Sequence, residues 1–67
     1  MNKTEKMILY ALANGGKIED YKHLNKELHN LHSRGLMHCY FDEQNHVISG
    51  SITSEGKPII NKISLYD

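Results

Sequence analysis

Residues 31–60 read LHSRGLMHCYFDEQNHVISGSITSEGKPII, and this stretch decides the fold. An apolar helical pattern ends at Arg34 and Gly35, since glycine readily adopts the left-handed conformation that follows a helix. Residues 36–41 and 47–52 read as strands, because their apolar, aromatic and β-branched residues flank the polar turn 42–45. The stretch therefore predicts a helix that is followed by a β-hairpin.

A third helix is predicted after the hairpin. Thr53 offers the hydroxyl of an N-cap, and Ile59, Ile60 and Ile63 follow at helical spacing. Pro58 lies about one turn into this segment and would remove a backbone hydrogen bond. Two alternatives stay open for this segment: a helix that begins later than Thr53, or an extended chain.

Two helices are predicted before the hairpin. The first covers residues 4–14 and ends at Gly15-Gly16, and its apolar side is formed by Met7, Ile8, Ala11 and Leu12. Asn2 and Glu5 have the spacing of a capping box, although Thr4 is an equally good cap. The second helix covers residues 19–34, and its apolar stripe is formed by Tyr21, Leu24, Leu28 and Leu31. The inward faces predict one shared core of Leu12, Leu24, Leu28, Leu31, Leu36 and Ile52.

Length and composition predict one soluble domain over residues 1–67. The chain has 39% hydrophobic and 24% charged residues, which is ordinary for a globular protein. A core of this size is marginal, so homodimerisation stays open. The single cysteine, Cys39, cannot form an internal disulfide, and no apolar run approaches the roughly 20 residues of a membrane span. Together with the lack of a signal-peptide pattern, this predicts a cytoplasmic protein that does not contact membranes.

A family resemblance rests on residues 24–63. Leu28-x-x-Leu31-x-x-x-Gly35-Leu36-Met37, then a hairpin, then Ile52-Thr53-Ser54-Glu55-Gly56-Lys57 resembles the latter half of winged helix-turn-helix regulators. The resemblance implies a hairpin wing, a closing helix that is entered through Thr53 with Gly56 allowing close packing, and double-stranded DNA as partner.

The chain departs from that family in one respect. A complete helix-turn-helix needs two helices between the first helix and the Gly-Leu signal, but here only residues 17–34 are available. They hold one long helix, or a short turn and a helix. The predicted architecture is therefore an α+β fold in the order α-α-β-β-α, a reduced winged-helix domain.

The outer face of the second helix is the candidate DNA surface, because Lys and Arg suit phosphates and Asn can read adenine. Its candidate residues are Lys22, Asn25, Lys26, His29, Ser33 and Arg34, with Asn30 beside them. Lys22 and Lys26 are predicted to contact phosphates, and Asn25 or His29 to lie nearest the base edges. The alternative is an ordinary solvated helix face, because Glu19, Asp20 and Glu27 are interspersed.

Charge argues against DNA binding. Eight Lys and Arg balance eight Asp and Glu, so the chain lacks the basic excess that is typical of nucleic-acid binders. Asp42 and Glu43 at the hairpin tip would repel phosphate. The alternative function is a winged-helix-derived module that binds a protein, for example a phage or mobile-element protein that binds a host protein without binding DNA.

Histidine and cysteine suggest a metal site, but their spacing does not favour one. His29 and His32 lie one turn apart, and His38 and Cys39 follow. Adjacent strand residues point to opposite faces, so His38 and Cys39 cannot easily share an ion. His32 is expected to be partly buried, and Cys39 to be a core or boundary residue. We predict no metal, no cofactor and no catalytic residue, and hence a protein that is not an enzyme.

Overall fold

The computed structural model describes residues 1–62, which form a small α+β fold. In chain order it contains α1 (Lys3–Ala13), α2 (Asn25–Ser33), β1 (Met37–Phe41), β2 (Val47–Ile52) and a 3-10 helix (Pro58–Asn61). The two strands form one antiparallel sheet. The α+β class is confirmed, and so are the two helices that precede the hairpin.

Helix α1 begins with a complete capping box. The Asn2 side chain accepts a hydrogen bond from the Glu5 backbone N–H, while the Glu5 carboxylate accepts one from the Asn2 N–H. The buried side of the helix is Glu5, Ile8 and Leu9, with Leu12 half-buried. These positions follow the i, i+3, i+4, i+7 pattern. The prediction that Met7 faces inward is wrong, because its side chain is 52% exposed.

Helix α2 is shorter than predicted, because it begins at Asn25 rather than at residue 19. Asp20 accepts hydrogen bonds from both the backbone N–H and the ring of His23. Such local side-chain bonds compete with helical backbone bonds. A single helical bond joins Leu24 N–H to the Asp20 carbonyl over 3.3 Å before α2 starts. Residues 17–34 therefore hold a short turn and a helix of nine residues.

Gly35 ends α2 in the predicted way. Its φ angle is +76°, which is the left-handed region. The backbone N–H of Leu36 then bonds the Leu31 carbonyl over 3.0 Å, and the Gly35 N–H bonds the His32 carbonyl over 3.0 Å. These bonds satisfy carbonyl groups at the helix end and direct the chain into β1.

The hairpin has the predicted strands with one irregularity. Cys39 pairs with Gly50 and Tyr40 with Ser49, but Phe41 pairs with Val47, so one residue of β2 bulges. The register makes Ile48 that extra residue. In the turn, the Asp42 backbone N–H bonds the His46 carbonyl over 2.9 Å, and Asn45 adopts a left-handed φ of +67°.

The predicted core is confirmed, although three of its members are only partly buried. Leu28, Leu31 and Leu36 are buried, and Leu12, Leu24 and Ile52 pack against them. The same cluster also contains Ile8, Leu9, Met37, Cys39 and Val47.

The segment after the hairpin is a turn that leads into a 3-10 helix, rather than an α-helix from Thr53. The Thr53 hydroxyl donates to the Gly35 carbonyl over 2.7 Å and accepts from the Gly56 N–H over 3.0 Å. Gly56 is buried, and a Cβ there would collide with the Leu36 carbonyl oxygen. Pro58 opens the 3-10 helix, where its missing N–H costs no bond. The prediction for Ile63 lies outside the described residues.

Candidate nucleic-acid interface

Exposed polar side chains lie on one face of α2 and in the segments that flank the helix, and we call this set the outer row. Lys26, Asn30 and Ser33 lie on the helix at i, i+4 and i+7, so they share one face. Lys22 lies in the preceding turn rather than on the helix, and Arg34 is the C-cap residue. The outer row is thus Lys22, Lys26, Asn30, Ser33 and Arg34, and all five are exposed.

The outer row carries three cations. Within residues 1–62 none of them lies within ion-pair distance of a carboxylate, since the ion pairs there involve His23 with Asp20 and His46 with Asp42. Glu27 is the one carboxylate in the sequence of α2, and it is half-buried. The charges of the outer row are therefore available to an external anion.

A second line of polar residues on α2 faces the hairpin, and we call it the hairpin-facing row: Asn25, His29 and His32. The Asn25 side-chain oxygen accepts from the Val47 N–H over 2.8 Å. His29 Nε2 donates to the Asn45 carbonyl over 2.7 Å. His32 Nδ1 accepts from the Cys39 N–H over 3.2 Å. Each residue of this row holds one point of the hairpin against α2.

The structure therefore divides the six predicted DNA-contacting residues between two sides. Lys22, Lys26, Ser33 and Arg34 are exposed members of the outer row, and Lys22 also lines a depression toward the hairpin. Asn25 and His29 are half-buried and bond the hairpin, which leaves Asn30 as the exposed amide of α2.

Sequence reasoning missed a line of aromatic contacts across this junction. The rings of His29 and His32 lie 4.8 and 5.1 Å from that of Phe41. The His32 ring is 5.9 Å from the His38 ring, which meets Tyr40 edge-on at 4.9 Å. Two features of the sequence could have indicated these contacts: the ring side chains within residues 38–41, and the i, i+3 spacing of the two histidines of α2. The contacts themselves depend on how β1 docks on α2.

Negative charge flanks the outer row on the hairpin side. Lys22 and Asp42 line the same shallow depression. The Asp42 carboxylate accepts from the backbone N–H groups of His46 and Gln44, and these bonds hold its pKa below the ordinary value. In the turn before α2, the hydrogen bond from the His23 ring likewise lowers the pKa of Asp20. Both carboxylates are therefore ionised at neutral pH.

Cys39 is the core residue that the sequence predicted. Its Sγ lies 3.8 Å from the Leu28 carbonyl, and burial raises the pKa of the thiol. A raised pKa makes the thiol a poor nucleophile and a poor metal ligand. The exposed His38 points to the opposite face of β1, as predicted. Within residues 1–62, no three side chains that bind metals converge.

None of the helices in residues 1–62 is long and apolar enough to cross a bilayer. Comparison of the chain with protein-family models, with curated proteins and with solved structures finds no match. The function of the chain is therefore inferred from the geometry of the outer row and its surroundings.

Proposed function

We propose that this chain is a DNA-binding regulator of the winged-helix type that contacts duplex DNA through the outer row. The observation that supports the proposal is the set of three exposed cations on α2 and its flanks: Lys22, Lys26 and Arg34. Helix α2 is about 14 Å long and, with its side chains, about 10–12 Å wide. A helix of that width fits the major groove, which is about 12 Å wide.

Each residue of the outer row has a role that follows from its chemistry. Lys22 and Arg34 lie at the two ends of the row and Lys26 between them, so all three contact phosphates. Asn30 and Ser33 carry the hydrogen-bonding groups that reach base edges. The internal bonds of Asn25 and His29 favour moving the base-reading role, which the sequence suggested for them, to Asn30. The acidic hairpin turn favours contact through the helix rather than through the wing.

The salt dependence of binding to mixed-sequence duplex DNA tests this proposal. Three phosphate contacts give a slope of log K against log salt of about −2.7, or a loss of about 40-fold between 50 and 200 mM salt. Replacing Lys22 and Lys26 together by Ala should weaken binding to all sequences and flatten the slope by about two counterions.

A charge-matched control separates the outer row from general electrostatics. Lys3→Ala/Lys57→Ala removes two other exposed lysines that lie outside α2. It should leave the slope nearly unchanged, and both double variants should melt like the parent. If the parent does not bind mixed-sequence duplex DNA at low salt, the DNA-binding proposal is wrong. If the two double variants lose affinity equally, the outer row is not the DNA surface.

A protein-binding module is the second candidate, and an apolar depression beside α1 favours it. The exposed Met7 lines this depression with Ile8, Ala11, Ile18 and Leu24, and its rim is charged through Lys17, Glu19 and Asp20. Under this hypothesis duplex DNA gives no signal at low salt, so the same titration separates the two functions.

A further inference from the structure

The two edges of the hairpin differ in what covers them. On the outer edge of β1, the Cys39 N–H donates to His32 Nδ1 of α2. Within residues 1–62 the sheet has two strands only, so no strand pairs with the outer edge of β2. At the turn end of that edge the Val47 N–H donates to the Asn25 side chain of α2, so the open part of the edge is residues 49–52. An unpaired strand edge is a template for the addition of another strand.

The register shows which groups of β2 point outward. In an antiparallel ladder, residues alternate between positions that bond the neighbouring strand and positions that do not. The N–H of Cys39, an odd position, bonds α2. The carbonyl of Leu36, an even position, accepts from the Thr53 N–H on the β2 side. The backbone N–H and C=O groups at odd positions of β1 therefore point away from β2. Gly50 is opposite Cys39. Its N–H and C=O therefore point away from β1, to the open edge.

The sequence around Gly50 reads the same in both directions: Ile48-Ser49-Gly50-Ser51-Ile52. An antiparallel pair of two such segments, with a two-fold axis at Gly50, places Gly50 opposite Gly50 and Ser49 opposite Ser51 of the second copy. The paired residues then have matching chemistry at each position. Ile48, which is 57% exposed, lies at the bulge next to this paired segment.

Charge does not oppose the approach of two copies at this edge. Residues 47–53 contain no charged side chain, so two copies can approach without like-charge repulsion. Lysine, proline and inward-pointing charges commonly protect edge strands, and β2 has none of them. Its one protective feature is the bulge at Ile48, which leaves the segment 49–52 in regular pairing with β1.

We propose that the open edge of β2 is a homodimer interface, in which two copies pair antiparallel about Gly50 to form one four-stranded sheet. The Gly50 N–H of each copy donates to the Gly50 carbonyl of the other. This proposal is independent of DNA binding.

Disulfide trapping tests the register. Ser49 and the second copy's Ser51 form a non-hydrogen-bonded pair, with Cα atoms about 4.5 Å apart, which suits a disulfide. An equimolar mixture of the single variants Ser49→Cys and Ser51→Cys should therefore form a covalent dimer on mild oxidation. Each variant alone should not, because position 49 lies diagonally from position 49 of the second copy, about 7–8 Å away. Cys39 is buried and present in all samples, and the parent chain controls for it.

A pair of lysine substitutions tests the edge without cysteine. Ile48→Lys and Met7→Lys each replace an apolar side chain that is more than half exposed, so both should fold. Sedimentation equilibrium should show a dimer for the parent and for Met7→Lys, and dimerisation that is weaker by about tenfold for Ile48→Lys.

Three results would overturn the proposal. The first is a parent chain that stays monomeric in sedimentation at high concentration. The second is trapping that is equally efficient for the mixture and for the single variants, which would indicate random collisions. The third is a dimer that Met7→Lys dissociates and Ile48→Lys does not, which would move the interface to α1.

Discussion

The two polar sides of α2 each carry an asparagine but have different surroundings. The hairpin-facing row carries an amide and two imidazoles, and each of its three residues bonds the hairpin. The outer row also carries an amide, on Asn30, but its side chains are exposed and its three cations have no ion-pair partner in the described part of the chain. One row holds the fold together, and the other is available for binding.

This difference shows that residue type alone does not identify a binding residue on a helix. Asn25 and Asn30 are the same amino acid on one nine-residue helix. The side-chain oxygen of Asn25 accepts the hydrogen bond of the Val47 N–H in place of a backbone carbonyl, because this end of the hairpin lies against Asn25. Docking of the hairpin therefore decides which asparagine can reach an external ligand.

Leu28→Ala should have the largest effect, because Leu28 lies beneath both rows and is fully buried. The substitution leaves a cavity in the core and should cost about 2–5 kcal/mol of unfolding free energy. In a domain of this size, the result should be a largely unfolded chain. Thermal melting and amide dispersion measure it, with Lys26→Ala as the control on the outer row. An unchanged melting temperature would mean that the inward face of α2 is assigned wrongly.

The two asparagines provide the direct test of the comparison. Asn25→Ala removes the acceptor of the Val47 N–H and should cost about 1–3 kcal/mol of stability, since Val47 is buried. Asn30→Ala should leave stability within about 0.5 kcal/mol, because its side chain is exposed. Under the DNA-binding proposal, Asn30→Ala should nevertheless weaken binding. Equal loss of stability in the two variants would remove the distinction between the rows.

Features with a local cause could be predicted from the sequence. Gly35 ends α2, the Asn2–Glu5 box starts α1, and residues 42–45 turn the hairpin, because each depends on residues that are close in the chain. The close approach at Gly56 was also indicated by its position after Thr53. These features explain why the α+β order before the 3-10 helix was predictable.

Features that depend on packing could not be predicted in the same way. Met7 fits a helical stripe with Ile8 and Ala11, but α1 is rotated so that Leu9 is buried instead. The hydrogen bonds from Asn25 and His29 to the hairpin join residues that are 16 to 22 positions apart in the chain, so they form only when the hairpin docks on α2. On a helical wheel both residues lie on a polar side of α2, but the wheel gives no information on the hairpin that covers them.

Acidification should give the smallest effect. It tests whether the ionised Asp42 carboxylate stabilises the hairpin turn, as the hairpin-facing row stabilises the hairpin. The Asp42 carboxylate accepts backbone hydrogen bonds from His46 and Gln44, which lower its pKa below the ordinary value of 3.8. Since the folded pKa is depressed, the contribution to stability is complete above the unfolded value. It is lost as the pH falls through the folded value. Asp42→Ala should therefore melt below the parent at about pH 6, and this gap should close as the pH falls below about 4.

Glu43→Ala is the matched control for this last prediction, because Glu43 is an exposed carboxylate in the same turn whose side chain accepts no hydrogen bond within residues 1–62. Its melting temperature should follow that of the parent across the whole pH range. Asp20, whose pKa is also lowered, is present in all three proteins, so its titration cancels from the differences. A gap for Asp42→Ala that persists unchanged in acid, or that Glu43→Ala reproduces, would show that the turn is not held by the ionised Asp42. The acidic turn would then act on the outer row only through its charge, as a repulsive neighbour of any phosphate that Lys22 contacts.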